Sequence, residues 1–374
     1  MNKTTTFCVL GASVLLAGGC LALRRRRTRR LRRLTLESRA AIVARSTGLE
    51  DLDLALRQLL ARAGDEGWLA RLRQCVLIKP SFVPAALNSG LLTDPGLLGA
   101  LARALRALRP DIDIRILALD SPNRPASTWV ADVGLADTVR SERLAVVPVS
   151  VEPAFWSLDS DLPWPLPQPS GVVGGDFLIS LGSLAVHPTE RMIGMVYHHG
   201  ALLPGIWDQI WDGRRRTAMA WSSFVMPPNL CLLDARIVAC WSGPEQYSRP
   251  AADVLICAHD PVSADGAAAR FLHICPTEAL TLREAARIAG RDPADVKITG
   301  DATAAFSAPA AESVFYEART LNLLDRLPIR QGRRERWAAR LTGAREPMTY
   351  VARLLLRKSD GMRARLATLR RMSG

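Results

Sequence analysis

The chain has 374 residues, 48% of them apolar and 23% charged, with 49 basic side chains against 36 acidic ones. That length allows two domains or one large one with appendages, and the ordinary apolar content excludes a disordered, collagen-like or disulfide-scaffold chain. The net charge of +13 is concentrated at the ends: residues 24–45 hold ten Arg and one Glu, and 328–374 hold thirteen basic and three acidic residues, which with Lys3 leaves −7 on the body 46–327.

In chain order, Phe7 to Leu23 reads FCVLGASVLLAGGCLAL, uncharged and followed at once by RRRRTRRLRR. Seventeen apolar residues lie at the lower limit for crossing a bilayer. The Arg block behind them favours a single-pass anchor with the body cytoplasmic. A cleaved signal peptide competes, but has its charge on the wrong side of the apolar run. A lipoprotein ending at Cys20 also competes, with Ala17 where a larger aliphatic is usual. The expected organisation is thus an anchor over 1–23, an Arg-rich segment over 24–45, an α/β body over 46–327 and a basic helical tail over 328–374. Residues 348–371 space apolar side chains between Arg and Lys at helical intervals. Such a segment suits either an anionic lipid surface or packing on the body. An acidic body argues against nucleic acid as a partner.

Within the body, short β-rich runs alternate with helical ones. Expected strands are 76–79, 112–119, 144–151, 177–181, 230–233, 254–257 and 296–299; expected helices are 52–63, 95–108, 261–272, 280–289 and 311–324. Continuous apolar strands mark a sheet covered on both faces, so the fold class is α/β with a mixed or mainly parallel sheet. Asp94-Pro95, Asp260-Pro261 and Asp292-Pro293 each read as an N-cap before a first-turn proline. The Pro- and Trp-rich stretch 152–175 and the stretch 200–229 read as irregular. The seven cysteines show no C-x-x-C or ferredoxin spacing, so no iron–sulfur cluster is expected.

Three ordered blocks resemble the family known as domain of unknown function 362. VLIKPSFVP at 76–84 with TDPGLLGALARAL at 93–105 is similar to its opening, and DFLISLGSLAVHP at 176–188 to its second block. LLDARIVACWSGPEQYSRPAADVLICAHDPVSADGAAARFL at 232–272 resembles its third. The resemblance spans about residues 70–300. It implies redox or metal-dependent chemistry, although the family has no settled reaction and many members carry an iron–sulfur module absent here. Ser81 stands where an Asn usually follows Lys-Pro, Ala185 where a Lys precedes x-His, and the usual Lys-Asn pair is replaced within 192–197.

Strand ends in open α/β sheets gather ligands. Lys79 and Asp265 are therefore the candidate catalytic groups, Lys79 holding an anion and Asp265 standing in an apolar helix with no capping role of its own. His187, Asp234 and Asp260 are candidate ligands for a divalent metal, with His198 and His199 as alternatives in a loop. Gly243-Pro244, on the family pattern, is the candidate cofactor contact; as sequence it is turn chemistry and not a phosphate loop. Two functions follow: a membrane-anchored protein with a small-molecule or metal pocket, or a noncatalytic membrane-associated scaffold that keeps the fold and binds a partner.

Overall fold

The computed structural model describes residues 40–301 apart from 47–48, 71, 73, 83–90, 121–124, 151–152, 154, 158–161, 164, 170–176, 188–189, 205–213 and 244–245. The expected anchor, most of the Arg-rich segment, the helix over 311–324 and the basic tail lie outside the described residues. No described helix is long and apolar enough to cross a membrane.

Eight strands form the main path of one sheet. They are β1 (Ala40–Arg45), β2 (Cys75–Lys79), β3 (Asp113–Asp120), β4 (Ala145–Ser150), β7 (Phe177–His187), β9 (Leu230–Gly243), β11 (Ala251–Ala258) and β12 (Lys297–Gly300). Their order is β12-β1-β11-β9-β7-β2-β3-β4. The run β9-β7-β2-β3-β4 is parallel, whereas β11 lies antiparallel to both β9 and β1. Short β8 (Arg191–Ile193) and β10 (Gln246–Ser248) flank β7 and β9, and β5 (Phe155–Ser157) pairs with β6 (Leu166–Gln168) as a separate ribbon. The sheet is therefore mixed. The Pro- and Trp-rich stretch contains that ribbon, where an irregular loop is expected from its composition.

Alternation along β1, β9 and β11 sends side chains to two cores. In β1, Ile42 and Ala44 enter the first core and Ala41 and Val43 the second; in β9, Leu230 and Leu232 enter the first and Cys231 and Leu233 the second. This is the period-two geometry of an extended chain. The first core is closed by α1 (Leu49–Asp65), α2 (Pro95–Leu108) and α3 (Ala126–Asp132), with α4 (Ala136–Ser141) outside them. Leu52, Ala55, Leu56, Leu59, Leu60 and Ala63 form the buried stripe of α1, the spacing that a helix turns to one side. The second core is closed by α5 (Met195–Gly200), α6 (Arg215–Val225), α7 (Pro261–Phe271) and α8 (Leu280–Ala289).

Two of the three Asp-Pro signals start helices. Asp94 accepts from Gly96 N at 2.9 Å, and Asp260 from Val262 N and Ser263 N at 2.8 and 3.0 Å. Asp292 accepts from Ala294 N in a turn, and no helix follows it before β12. The body also begins earlier than composition suggests. Ala40–Arg45, inside the Arg-rich segment, is a strand between β11 and β12 with its first five residues buried.

Candidate functional site

The site follows from unequal strand lengths. β2 stops at Lys79, whose partner in β7 is Ser180, while β7 continues for seven more residues to His187. α5 lies across the step this leaves. Its Met195, Val196 and Tyr197 belong to the second core, and Ala201 and Leu202 just beyond it belong to the first. Gly182 makes room for it, because a Cβ there would stand 2.7 Å from His198 Cδ2.

Both ends of α5 are held by buried ionisable groups. At its N-terminus, where backbone N–H groups lack helical partners, Asp265 of α7 accepts from Met195 N and, at 3.0 Å, from Val196 N. A Cβ on Gly194 would collide with that carboxylate. Near the other end, Lys79 Nζ donates to the carbonyl oxygen of His198 and sits 4.8 Å from the centroid of the Phe82 ring. The carboxyl at the N-terminus satisfies free backbone N–H groups, and the amine at the C-terminal turn donates to a backbone carbonyl. Asp265 thus does cap a helix, but not its own.

The two histidines of α5 repeat one arrangement. His198 Nε2 lies 2.7 Å from Ser183 O and 3.1 Å from Ser183 N, and the shorter contact makes Nε2–H the donor. Nδ1 then accepts from the Ser81 hydroxyl at 2.9 Å. His199 Nε2 donates to Met226 O at 2.7 Å, with Ser180 Oγ 3.3 Å from Nδ1. Burial, then the nearby Lys79 charge, lowers both imidazoles to about 3 against the pull of those carbonyls, so both are neutral. Burial alone drives the Lys79 amine well below the ordinary lysine value. Burial raises the Asp265 carboxyl to about 7, opposed by the Val196 and Met195 donors and assisted by Asp260.

Lys79 and Asp265 are therefore brought to opposite ends of one short helix. The expected metal ligands are not brought together. Taking the row Lys79–Ser180–Cys231–Ala258 across the sheet, His187 lies beyond it by about 23 Å at roughly 3.3 Å per residue. Asp234, opposite Ser183, lies beyond it in the same direction. Asp260 follows the reversed β11 and lies on the other side. Each has a different partner: His187 Nδ1 accepts from Glu190 N at 3.3 Å, Asp234 binds Arg236 at 2.8 Å, and Asp260 pairs with Arg291. Among the described residues no group of three His, Cys, Asp or Glu side chains could hold a metal ion, so the donor set does not fit that group. His198 and His199 sit in a helix rather than a loop. Gly243 ends β9, away from the α5 step, and Pro244 lies outside the described residues.

Some groups carry no sequence signal. Glu190, in the turn before β8, receives two hydrogen bonds from Arg216, at 3.1 and 3.0 Å, and one from Thr281 at 2.7 Å. Burial opposes its ionisation, but these partners hold it down at about 2. Ser81 is legible only as a departure from a family pattern, and the structure places it on His198.

Fold and site together define an α/β protein with a mixed sheet and a buried amine–hydroxyl–imidazole cluster. The family model described as "Domain of unknown function (DUF362)" matches residues 76–270, and the chain belongs to that family. No curated protein matches it. A crystal structure of a protein from Thermotoga maritima is 10% identical, with 66% of this chain and 60% of that chain covered at a TM-score of 0.32. The chain thus spans about three fifths of that protein's length.

Proposed function

We propose that this is a membrane-anchored DUF362 protein that holds a small organic molecule, not a metal ion, beside Lys79, with its body on the cytoplasmic side. The observation that carries the reading is the Lys79 amine itself. It is 0% exposed, and burial opposes its protonation with no carboxylate among the described residues to offset it. A buried cation without an acidic partner costs several kcal/mol. A methionine or leucine would fill the space at the end of β2 at lower cost, so the amine has a use beyond packing. The charge-free run 7–23 with Arg behind it supports the anchor, and the basic ends support contact with anionic lipid.

The test is native mass spectrometry of the detergent-purified full chain, alongside a Lys79→Met variant. A bound organic mass that wild type carries and the still-folded variant loses is the expected result. A variant that melts well below wild type, with no bound mass in either protein, would overturn the reading. The second reading, a scaffold that keeps the fold without chemistry, draws support from the completeness of the internal bonding. Among the described residues Ser223 Oγ is the one buried side-chain polar atom with no hydrogen bond.

A further inference from the structure

We propose that Lys79 condenses through Nζ with the carbonyl carbon of a small aldehyde or ketone, positioned by the Ser81–His198 pair, to form an imine. This rests on the small-molecule reading above and names the ligand's chemical class. The first argument is the choice of cation. Of the 49 basic side chains only Lys3, Lys79, Lys297 and Lys358 are lysines. The buried Arg291 side chain, 2% exposed, is matched by Asp260, as a permanently charged guanidinium requires. At the buried site with no acid among the described residues, the chain carries an amine, which can lose its proton where arginine cannot.

The second argument is the set of neighbours. One N–H of Lys79 is taken by the His198 carbonyl and the Phe82 ring lies close by. The Ser81 hydroxyl, two residues beyond Lys79, and a neutral His198 imidazole form a hydrogen-bonded pair. Amines desolvated in this manner are nucleophilic at neutral pH. In the step, the Nζ lone pair bonds to the carbonyl carbon and one N–H proton passes to the carbonyl oxygen, giving a carbinolamine. The C–O bond then breaks, water leaves with the second N–H proton, and a C=N bond remains; nothing is oxidised or reduced. Since Lys79 is sealed beneath α5, the helix must yield at its C-terminal turn for the carbonyl to enter, and labelling is gated by local opening.

The full chain in detergent at pH 7 is treated with propionaldehyde and cyanoborohydride, and the N-propyl sites are mapped by peptide mass spectrometry. Lys297 is exposed and serves as the internal standard, since an ordinary lysine is free amine only on the order of one part in a thousand at pH 7. Lys79 is expected to be modified at least about tenfold faster than Lys297, and Ser81→Ala to slow Lys79 alone. Modification of Lys297 without Lys79, while native spectra still show a bound mass that Lys79→Met loses, would overturn the imine and leave the small-molecule site standing. Absence of both signals would overturn both.

Discussion

Asp265 and Lys79 lie 186 positions apart and grip the two ends of the same six-residue helix, the carboxylate on its first N–H groups and the amine on the His198 carbonyl. A helix this short has no stability of its own in water. Its conformation is imposed by side chains from β2, β7 and α7, so the imidazoles it carries respond to changes at either grip.

Asp265 makes stability fall as pH rises. Its folded carboxyl titrates at about 7, above the roughly 3.9 of an unfolded chain. Between these values the folded state keeps a proton that the unfolded state has released. The contribution is complete below about pH 4 and is lost as pH rises through about 7, amounting to a few kcal/mol. Denaturant midpoints measured from pH 5 to 8 should decline for wild type, and the Asp265→Asn variant should show a flatter profile.

The step between β2 and β7 tolerates no side chain at Gly182. Gly182→Ala would force the His198 ring off its Ser81 and Ser183 contacts, at a cost of about 1–3 kcal/mol. Gly64→Ala, in α1 with only Leu69 Cδ1 at 3.9 Å, should instead stabilise by up to about 1 kcal/mol. Thermal melts of the two variants should move in opposite directions.

Asp260 and Arg291 should behave as a unit. Removing either partner leaves a buried charge uncompensated, and Arg291→Met is expected to cost about 3–5 kcal/mol. Asp260→Ala also removes the cap of α7, about 1 kcal/mol. The double variant should lose much less than the two single losses combined, which a double-mutant cycle by denaturant unfolding measures directly.

Long periodic elements were legible in the sequence. α2 and α8 fall on their expected bounds, since each pairs an apolar stripe with a clear start or stop: Asp94-Pro95 before α2, and Gly290, at φ 67°, after α8. β1 was hidden because AAIVAR is short and sits among arginines. α5 was hidden because six residues are too few for a period and its cap is supplied from 70 positions away. The apolar setting of Asp265 marked it as a residue needing a partner, but nothing local names that partner. The expected metal set failed for a topological reason. His187 ends β7 and Asp234 lies within the parallel β9, whereas Asp260 follows the reversed β11, and strand direction depends on pairings that no local pattern records.

The placement of β1 governs the order in which this body can be assembled. Arg45 N bonds to Asp301 across 256 positions, so the first of the described strands to leave the ribosome waits for the last of them before its outer flank is covered. Contacts this remote form late and slowly. Until residue 301 has been made, β1 presents an open edge on its β12 side, which leaves the nascent body vulnerable to mispairing along that strand.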